Sequence, residues 1–205
     1  MFTIATKFGQ CRPAIFLDRD GVINENRIDY VKSWDEFVFM PGALNALCLL
    51  AKSEYAIIVV SNQSAVGRGL VEIETVESIH KRMQDTIGLH NGRIDAIYYC
   101  PHTPHAGCDC RKPSPGLLQR AAYELNLDLL SSWLIGDAFS DIEAGFAVGC
   151  SSILVLTGRG QEQYPLLRQR RFKHVPVVAN LPQAVALILK EDLVVATGSY
   201  TMSVK

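Results

Sequence analysis

The stretch Ala14-Ile15-Phe16-Leu17-Asp18-Arg19-Asp20-Gly21 decides how the rest of the chain is read. Four apolar residues in a row suit a buried strand, and they run directly into two carboxylates and a glycine. Side chains alternate along an extended chain, so Asp18 and Asp20 are expected to project one way and Arg19 the other. Two neighbouring carboxylates repel each other, and a divalent cation would relieve that repulsion while sharing oxygens with a bound phosphate. An acidic turn after an ordinary strand is the plainer alternative, because Asp and Gly are also turn residues.

The same pattern recurs downstream. Apolar runs at 55–60, 96–99, 132–135, 152–156 and 175–178 alternate with helical patterns at 43–53, 74–87, 116–125, 141–148 and 182–190. Strands that are apolar without strict two-residue alternation, separated by helices, predict an α/β fold: a three-layer, Rossmann-like parallel sheet with helices on both faces. Pro41-Gly42, Pro113-Ser114-Pro115-Gly116 and Pro182 punctuate helix entries, where a missing N–H costs little. One domain over 1–195 is expected, followed by a flexible tail at 196–205.

A chain of 205 residues can bury roughly 70% of its unfolded surface, so a substantial core is available. With 20 basic against 21 acidic side chains, no global field attracts nucleic acid or an anionic membrane. The basic stretch Arg168, Arg170, Arg171 and Lys173 lacks interleaved aromatics and reads as a solvated helix face. No apolar run approaches the ~18 residues of a membrane span, and Met1 to Gln10 lacks the apolar stretch of a secretory signal, so a cytoplasmic location is expected.

Chemically capable residues stand immediately after four of the apolar runs: Asp18 and Asp20, Ser61 and Asn62, Cys100, and Gly136-Asp137. Open α/β sheets bind ligands outside the carboxyl ends of their strands, so these four places converge on one edge. Ser61-Asn62-Gln63-Ser64 offers hydroxyl and amide groups for phosphate oxygens, or else Ser61 or Ser64 caps a helix. Arg111-Lys112 would balance the acidic pair and clamp a phosphoryl group, unless it is an ordinary solvated pair. Asp137 would complete an oxygen-rich site suited to Mg2+, and Asp141 either orients Lys112 or caps the following helix.

Between Cys100 and Cys110 lie three thiols, with Cys108, and two imidazoles, His102 and His105. Such crowding favours metal over disulfides, and three thiolates with one imidazole form a closed, structural Zn2+ site. His102 is the preferred imidazole and His105 the alternate.

Taken in order, Phe16 to Asn24, Val60 to Ser64, the loop from Cys100 to Pro113, and Gly136-Asp137 with Asp141 resemble the haloacid dehalogenase (HAD)-like phosphatases. More narrowly they are similar to a zinc-loop branch that holds heptose bisphosphate phosphatases and histidinol-phosphate phosphatase domains. The resemblance spans roughly residues 14 to 160. It implies that Asp18 attacks phosphorus to give an aspartyl-phosphate, and that Asp20 protonates the departing oxygen and then activates water. Ser61 and Lys112 would hold the phosphoryl oxygens, and Mg2+ would sit on Asp18, the main-chain carbonyl of Asp20, and Asp137. Zn2+ would be held by Cys100, His102, Cys108 and Cys110.

Substrate contacts carried over by position are Asn26, Arg27, Ile28, Asp29, Asn62, Gln63, Ser64 and Arg111, the last for a second anionic group. The implied substrate is a small phosphorylated sugar, with the 7-phosphate of D-glycero-D-manno-heptose 1,7-bisphosphate foremost. Histidinol phosphate or another small ester is the alternative, and a zinc-stabilised binding module is the non-enzymatic one. Val22 stands where many relatives have Thr, and Ala138 where some have Lys. No long insertion interrupts the pattern, so an open site without a large cap domain, on a monomer, is expected.

Overall fold

A computed structural model of the protein describes residues 11–168 and 172–197. Six strands, β1 (Arg12–Leu17), β2 (Ala56–Asn62), β3 (Ala96–Cys100), β4 (Leu127–Gly136), β5 (Ser151–Val155) and β6 (Val177–Val178), form one sheet in the order β3-β2-β1-β4-β5-β6. Every pairing is parallel. The helices are α1 (Ala43–Leu50), α2 (Ser64–Gly67), α3 (Ile73–Leu89), α4 (Gly116–Leu125), α5 (Phe139–Ala147), α6 (Gly160–Arg168) and α7 (Leu181–Thr197).

Burial on both faces explains the continuous apolar runs. Ile15 and Leu17 of β1 join Ile57 and Val59 of β2 in a core with α1, α3 and α7, where Leu47, Met83 and Val185 meet them. Ala14 and Phe16 point the other way, with Ile58 and Val60, into a core closed by Leu117, Leu118 and Ala121 of α4 and Ala144 of α5. A third patch of Phe139, Ile142, Leu154, Leu167 and Phe172 seals α5 and α6 against β5. The three-layer architecture expected from the alternation is therefore present.

Strand order places the site. The chain leaves β1 toward β2 and β3, then returns to lay β4 along the opposite edge of β1. A crevice opens where the order reverses, between the carboxyl ends of β1 and β4. The Asp18 N–H donates to Ile135 O at 2.9 Å, so the first residue beyond β1 is still fixed by β4.

Several elements depart from expectation. β4 starts at Leu127, before polar residues that hide it, with its register against β1 broken between Pro13 and Ile15. There Ser132 Oγ accepts from the Ala14 N–H at 2.8 Å, replacing a ladder bond. α6 escapes notice because Pro165 lies inside it. Residues 18–42 contain one turn of 3-10 helix at Trp34–Glu36, where Trp34 stacks on Phe37 with centroids 5.0 Å apart; no cap domain occurs among the described residues. Within the basic stretch, Arg168 ends α6 and Lys173 is exposed, while Arg170 and Arg171 lie outside the described residues. The expected tail begins inside α7, and its residues 198–205 also lie outside them. No described helix is long and apolar enough to cross a membrane.

Candidate active site

Strand ends and the loops beyond them line a polar cavity of ≈ 990 Å3. Asp18 enters it from β1, Ser61 and Asn62 from β2, Cys108, Arg111 and Lys112 from the loop after β3, and Asp137 from β4. Asn26, Arg27 and Ile28 close one side.

At its floor, carboxylate oxygens of Asp18, Asp137 and Asp141 lie within 4.8 Å of one another. Lys112 Nζ stands among them, 3.0 Å from Asp18 Oδ1 and 2.7 Å from Asp141 Oδ1, and donates to Val60 O at 2.7 Å. Burial favours the neutral amine, but the charges of Asp141 and Asp18 outweigh it and raise the Lys112 pKa. Asp141 performs both roles weighed from sequence: Oδ1 faces Lys112, while Oδ2 accepts from the Ala138 N–H at 3.0 Å at the start of α5.

One ammonium does not balance three carboxylates. Burial first, with Lys112 in opposition and then Asp141 and Asp20 adding repulsion, pushes Asp18 up to about 6. Burial and the charges of Asp18 and Asp141 push Asp137 up to about 8. An all-oxygen cluster with surplus negative charge fits a hard divalent cation such as Mg2+. Asp137 is pressed into place by backbone: the Arg159 N–H donates to Oδ2 at 2.8 Å, and a Cβ on Gly21 (φ +86) or Gly158 (φ +55) would collide with that oxygen.

The Asp20 carboxyl is not part of that cluster. Oδ1 accepts from Arg19 Nη2 and Asn24 Nδ2, each at 2.9 Å, and Oδ2 accepts from Gln63 Nε2 at 2.8 Å. Burial would raise its pKa, but the Arg19 guanidinium and the two amides hold it below the ordinary carboxylate value. The expected alternation, with Arg19 turned away from Asp20, fails because β1 ends at Leu17. Beyond that residue the chain turns, with the N–H groups of Val22, Ile23 and Asn24 all donating to Arg19 O.

The motif after β2 divides its labour. Gln63 Nε2 also donates to Ser61 Oγ at 2.8 Å, tying that buried hydroxyl to Asp20, and neither Ser61 nor Ser64 caps α2. Asn62 is engaged by Lys112: its Nδ2 donates to Lys112 O and its Oδ1 accepts from the Lys112 N–H, both at 3.1 Å. Arg111 remains half-buried at the cavity, with one Nη1 donating to His102 O at 3.4 Å. Asp29 does not line the cavity; its carboxylate pairs with Arg27 at 3.2 Å and Lys32 at 2.6 Å. Sequence reading missed Thr157-Gly158-Arg159 after β5, although the strand-end rule that singled out the other four applies there too.

Beside this cavity, Cys100, His102, Cys108 and Cys110 offer four ligand atoms within 4.8 Å of one another, and His105 is outside the group. Sulfur separations are 3.2 Å for Cys100–Cys110 and 3.6 Å for Cys100–Cys108, and His102 Nδ1 lies 3.5 and 3.3 Å from the sulfurs of Cys100 and Cys110. Tetrahedral Zn2+ would set about 3.8 Å between sulfurs and about 3.6 Å between sulfur and nitrogen, so the residues fit the ion. Burial and the Cys110 thiol push Cys100 up to about 12, which means that a thiolate there needs a cation. The Gly67 N–H donates to Pro101 O at 2.8 Å, and that of Gly116 to Asp109 O at 3.1 Å, docking the loop on α2 and α4.

Residues 109–184 match the HAD-hydrolase-like family model. The D-glycero-beta-D-manno-heptose-1,7-bisphosphate 7-phosphatase of Pseudomonas aeruginosa is 40% identical over 149 residues, 73% of this chain and 84% of that one. Its counterpart in Escherichia coli K12 is 39% identical, covering 84% of this chain and 93% of the other. Among solved structures, the D,D-heptose 1,7-bisphosphate phosphatase from B. bronchiseptica, complexed with magnesium and phosphate, superposes with a TM-score of 0.81 at 36% identity. It covers 87% of this chain and 99% of its own. Identity at this level over most of each relative, on the same open parallel sheet, means that the chain belongs to the D-glycero-β-D-manno-heptose-1,7-bisphosphate 7-phosphatase family of HAD-like hydrolases.

Proposed function

We propose that the protein is a Mg2+-dependent phosphatase that removes the 7-phosphate of D-glycero-D-manno-heptose 1,7-bisphosphate through an aspartyl-phosphate on Asp18, with a structural Zn2+ in the loop between Cys100 and Cys110. Family membership makes the chain a phosphoric monoester hydrolase. The observation that carries the assignment of roles is the Asp18 carboxylate, placed at the switch point, 3.0 Å from Lys112 and beside Asp137 in a polar cavity.

An oxygen of Asp18 attacks phosphorus, the bond from phosphorus to the sugar oxygen breaks, and that oxygen takes its proton from Asp20. Asp20 then removes a proton from water, whose oxygen attacks the acyl-phosphate and frees phosphate and Asp18. Arg19, Asn24 and Gln63 keep Asp20 ionised in the free protein, ready for that second half. For the first half, an arriving phosphate dianion raises its proton affinity, and Asp20 takes up from solvent the proton that it then gives to the departing oxygen. Held by Asp18, Asp137 and the main-chain carbonyl of Asp20, Mg2+ would neutralise charge shared between the nucleophile and the phosphoryl oxygens. Ser61 and Lys112 bind those oxygens, and Arg27 and Arg111 at the cavity supply cations for the second phosphate.

A single-domain, monomeric cytoplasmic enzyme suits a small soluble substrate, and the near-neutral charge supports it. The direct test is phosphate release from heptose 1,7-bisphosphate with and without Mg2+, set against histidinol phosphate. Turnover should need Mg2+ and favour the sugar in kcat/KM, and Asp18→Asn should be folded and inert. No turnover in either condition, or a preference for histidinol phosphate, would overturn the assignment.

A further inference from the structure

One buried polar chain runs on from Arg19, beyond the residues that the steps above use. Arg19, 1% exposed, sends Nη2 to Asp20 Oδ1 at 2.9 Å and Nη1 to His80 Nε2 at 3.2 Å. Its Nε has no hydrogen-bond partner among the described residues, so these two contacts are what orient the guanidinium. His80 is buried on α3, and its ring meets that of Tyr99 edge-on at 5.2 Å, while Tyr99 Oη donates to Glu77 Oε1 at 3.0 Å. A guanidinium has only donors, so the His80 Nε2 facing it must accept, which fixes a neutral imidazole with its proton on Nδ1. Burial and the Arg19 charge agree, lowering the His80 pKa to about 3.

We propose that His80 is a positioning residue for proton transfer: through Arg19 it fixes the direction in which the Asp20 carboxyl faces the departing oxygen. This rests on Asp20 being the acid and base of the reaction above. Arg19 and Asn24 share Oδ1 of that carboxyl and Gln63 holds Oδ2, so the plane of the group is set by donors on both sides, of which Arg19 is the charged one. Without an acceptor at Nε2, one side of the guanidinium has nothing to hold it, and the carboxyl gains freedom to turn. Small errors in the direction of a proton-transfer group are costly, whereas substrate binding does not depend on them.

The test compares His80→Leu and His80→Gln with the unaltered enzyme on two esters. A sugar alkoxide needs a proton to leave and a nitrophenolate does not, so kcat/KM for p-nitrophenyl phosphate, which ends with leaving-group departure, is indifferent to Asp20. His80→Leu should lose about 10–100-fold in kcat/KM on heptose bisphosphate, the scale of removing an outer hydrogen-bond partner. It should stay near the unaltered enzyme on the aryl ester, and His80→Gln, whose amide oxygen can accept from Arg19, should recover most of the loss. Equal losses on both esters, no loss on the sugar ester, or a Gln variant no better than Leu would overturn the proposal. Asp20→Asn separates the two levels: full activity on the sugar ester in that variant overturns the acid-base role of Asp20 itself, whereas a selective loss there beside an unaffected His80→Leu overturns only the part given to His80.

Discussion

Stability in the absence of Mg2+ should fall as pH rises from 6 to 8, the reverse of what well-paired carboxylates give. Asp137 is 2% exposed and titrates near 8 in the folded protein, because burial and the charges of Asp18 and Asp141 disfavour its ionised form. Unfolded, it titrates near 3.9. Over that window the folded state holds a proton that the unfolded state has already lost, so stability is highest below the unfolded pKa and is lost as pH climbs to the folded one. The slope for one group approaches 1.4 kcal/mol per pH unit and flattens near 8, giving about 2 kcal/mol between pH 6 and 8. Asp18, raised to about 6, has completed most of its own loss by then and adds a few tenths. For a chain of this size 2 kcal/mol corresponds to about 4–8 °C in Tm. The assay is thermal unfolding in Mg2+-free buffer without chelator, so that the proposed Zn2+ would stay in the thiol loop. Saturating Mg2+ should flatten the profile, since a cation among the carboxylates removes the reason to hold a proton, and Asp137→Asn should flatten it without Mg2+. A Tm that is constant or rises across the window in the Mg2+-free protein, or an Asp137→Asn variant with an unchanged slope, would refute the account of the acidic cluster.

Cys110→Ser should lower bound zinc from one ion per chain to none and reduce stability by about 3 kcal/mol, the scale of opening a short cross-linked loop; metal analysis with thermal unfolding reads both, and an unchanged Tm counts against a structural ion. Gly21→Ala adds a Cβ at φ +86 against Asp137 Oδ2, so it should cost about 1–2 kcal/mol for the left-handed backbone alone and raise the Mg2+ concentration needed for half-maximal activity; an unaltered Mg2+ dependence would separate that glycine from the metal site.

Strand ends were legible because a sheet covered on both faces needs unbroken apolar runs, so Asp18, Ser61 and Asp137 announce themselves as the first polar residues after Leu17, Val60 and Ile135. The four candidate sulfur and nitrogen ligands were legible because they sit close together in sequence, and the structure groups the same four. What escaped depends on distances that sequence does not encode. Arg19 defied the alternation rule because the rule lapses where the strand does. Asn62 and Lys112 exchange two hydrogen bonds across fifty positions, so the amide that lines the cavity also fastens the loop that carries the lysine. Arg159 holds Asp137 through its main-chain N–H, a group every residue but proline shares. His80 did leave a trace: with Val76, Ile79, Met83 and Ile87 it falls on the buried side of α3, where a lone imidazole needs a partner.

The surroundings of Lys112 bear on how the phosphoryl group is received. An ammonium has three N–H donors, and three oxygens surround it in the free protein: Val60 O accepts a hydrogen bond, and carboxylate oxygens of Asp18 and Asp141 form ion pairs with it at 3.0 and 2.7 Å. It can reach a phosphoryl oxygen only by releasing one of them, and two of the three are poor candidates. Val60 O belongs to β2, and Asp141 is tied to the first turn of α5 through Ala138. Asp18 is the acceptor whose charge changes in the proposed reaction, because forming the acyl-phosphate converts its carboxylate into an ester-like oxygen while negative charge gathers on the transferred group. The ion pair with Asp18 would therefore give way to one with a phosphoryl oxygen as that bond forms, leaving the number of oxygens around the buried ammonium unchanged. A buried cation that keeps its partners throughout incurs no desolvation penalty at the transition state, which is the condition for it to stabilise charge there. Asp141 and Val60 O thus hold the pivot about which that exchange would occur.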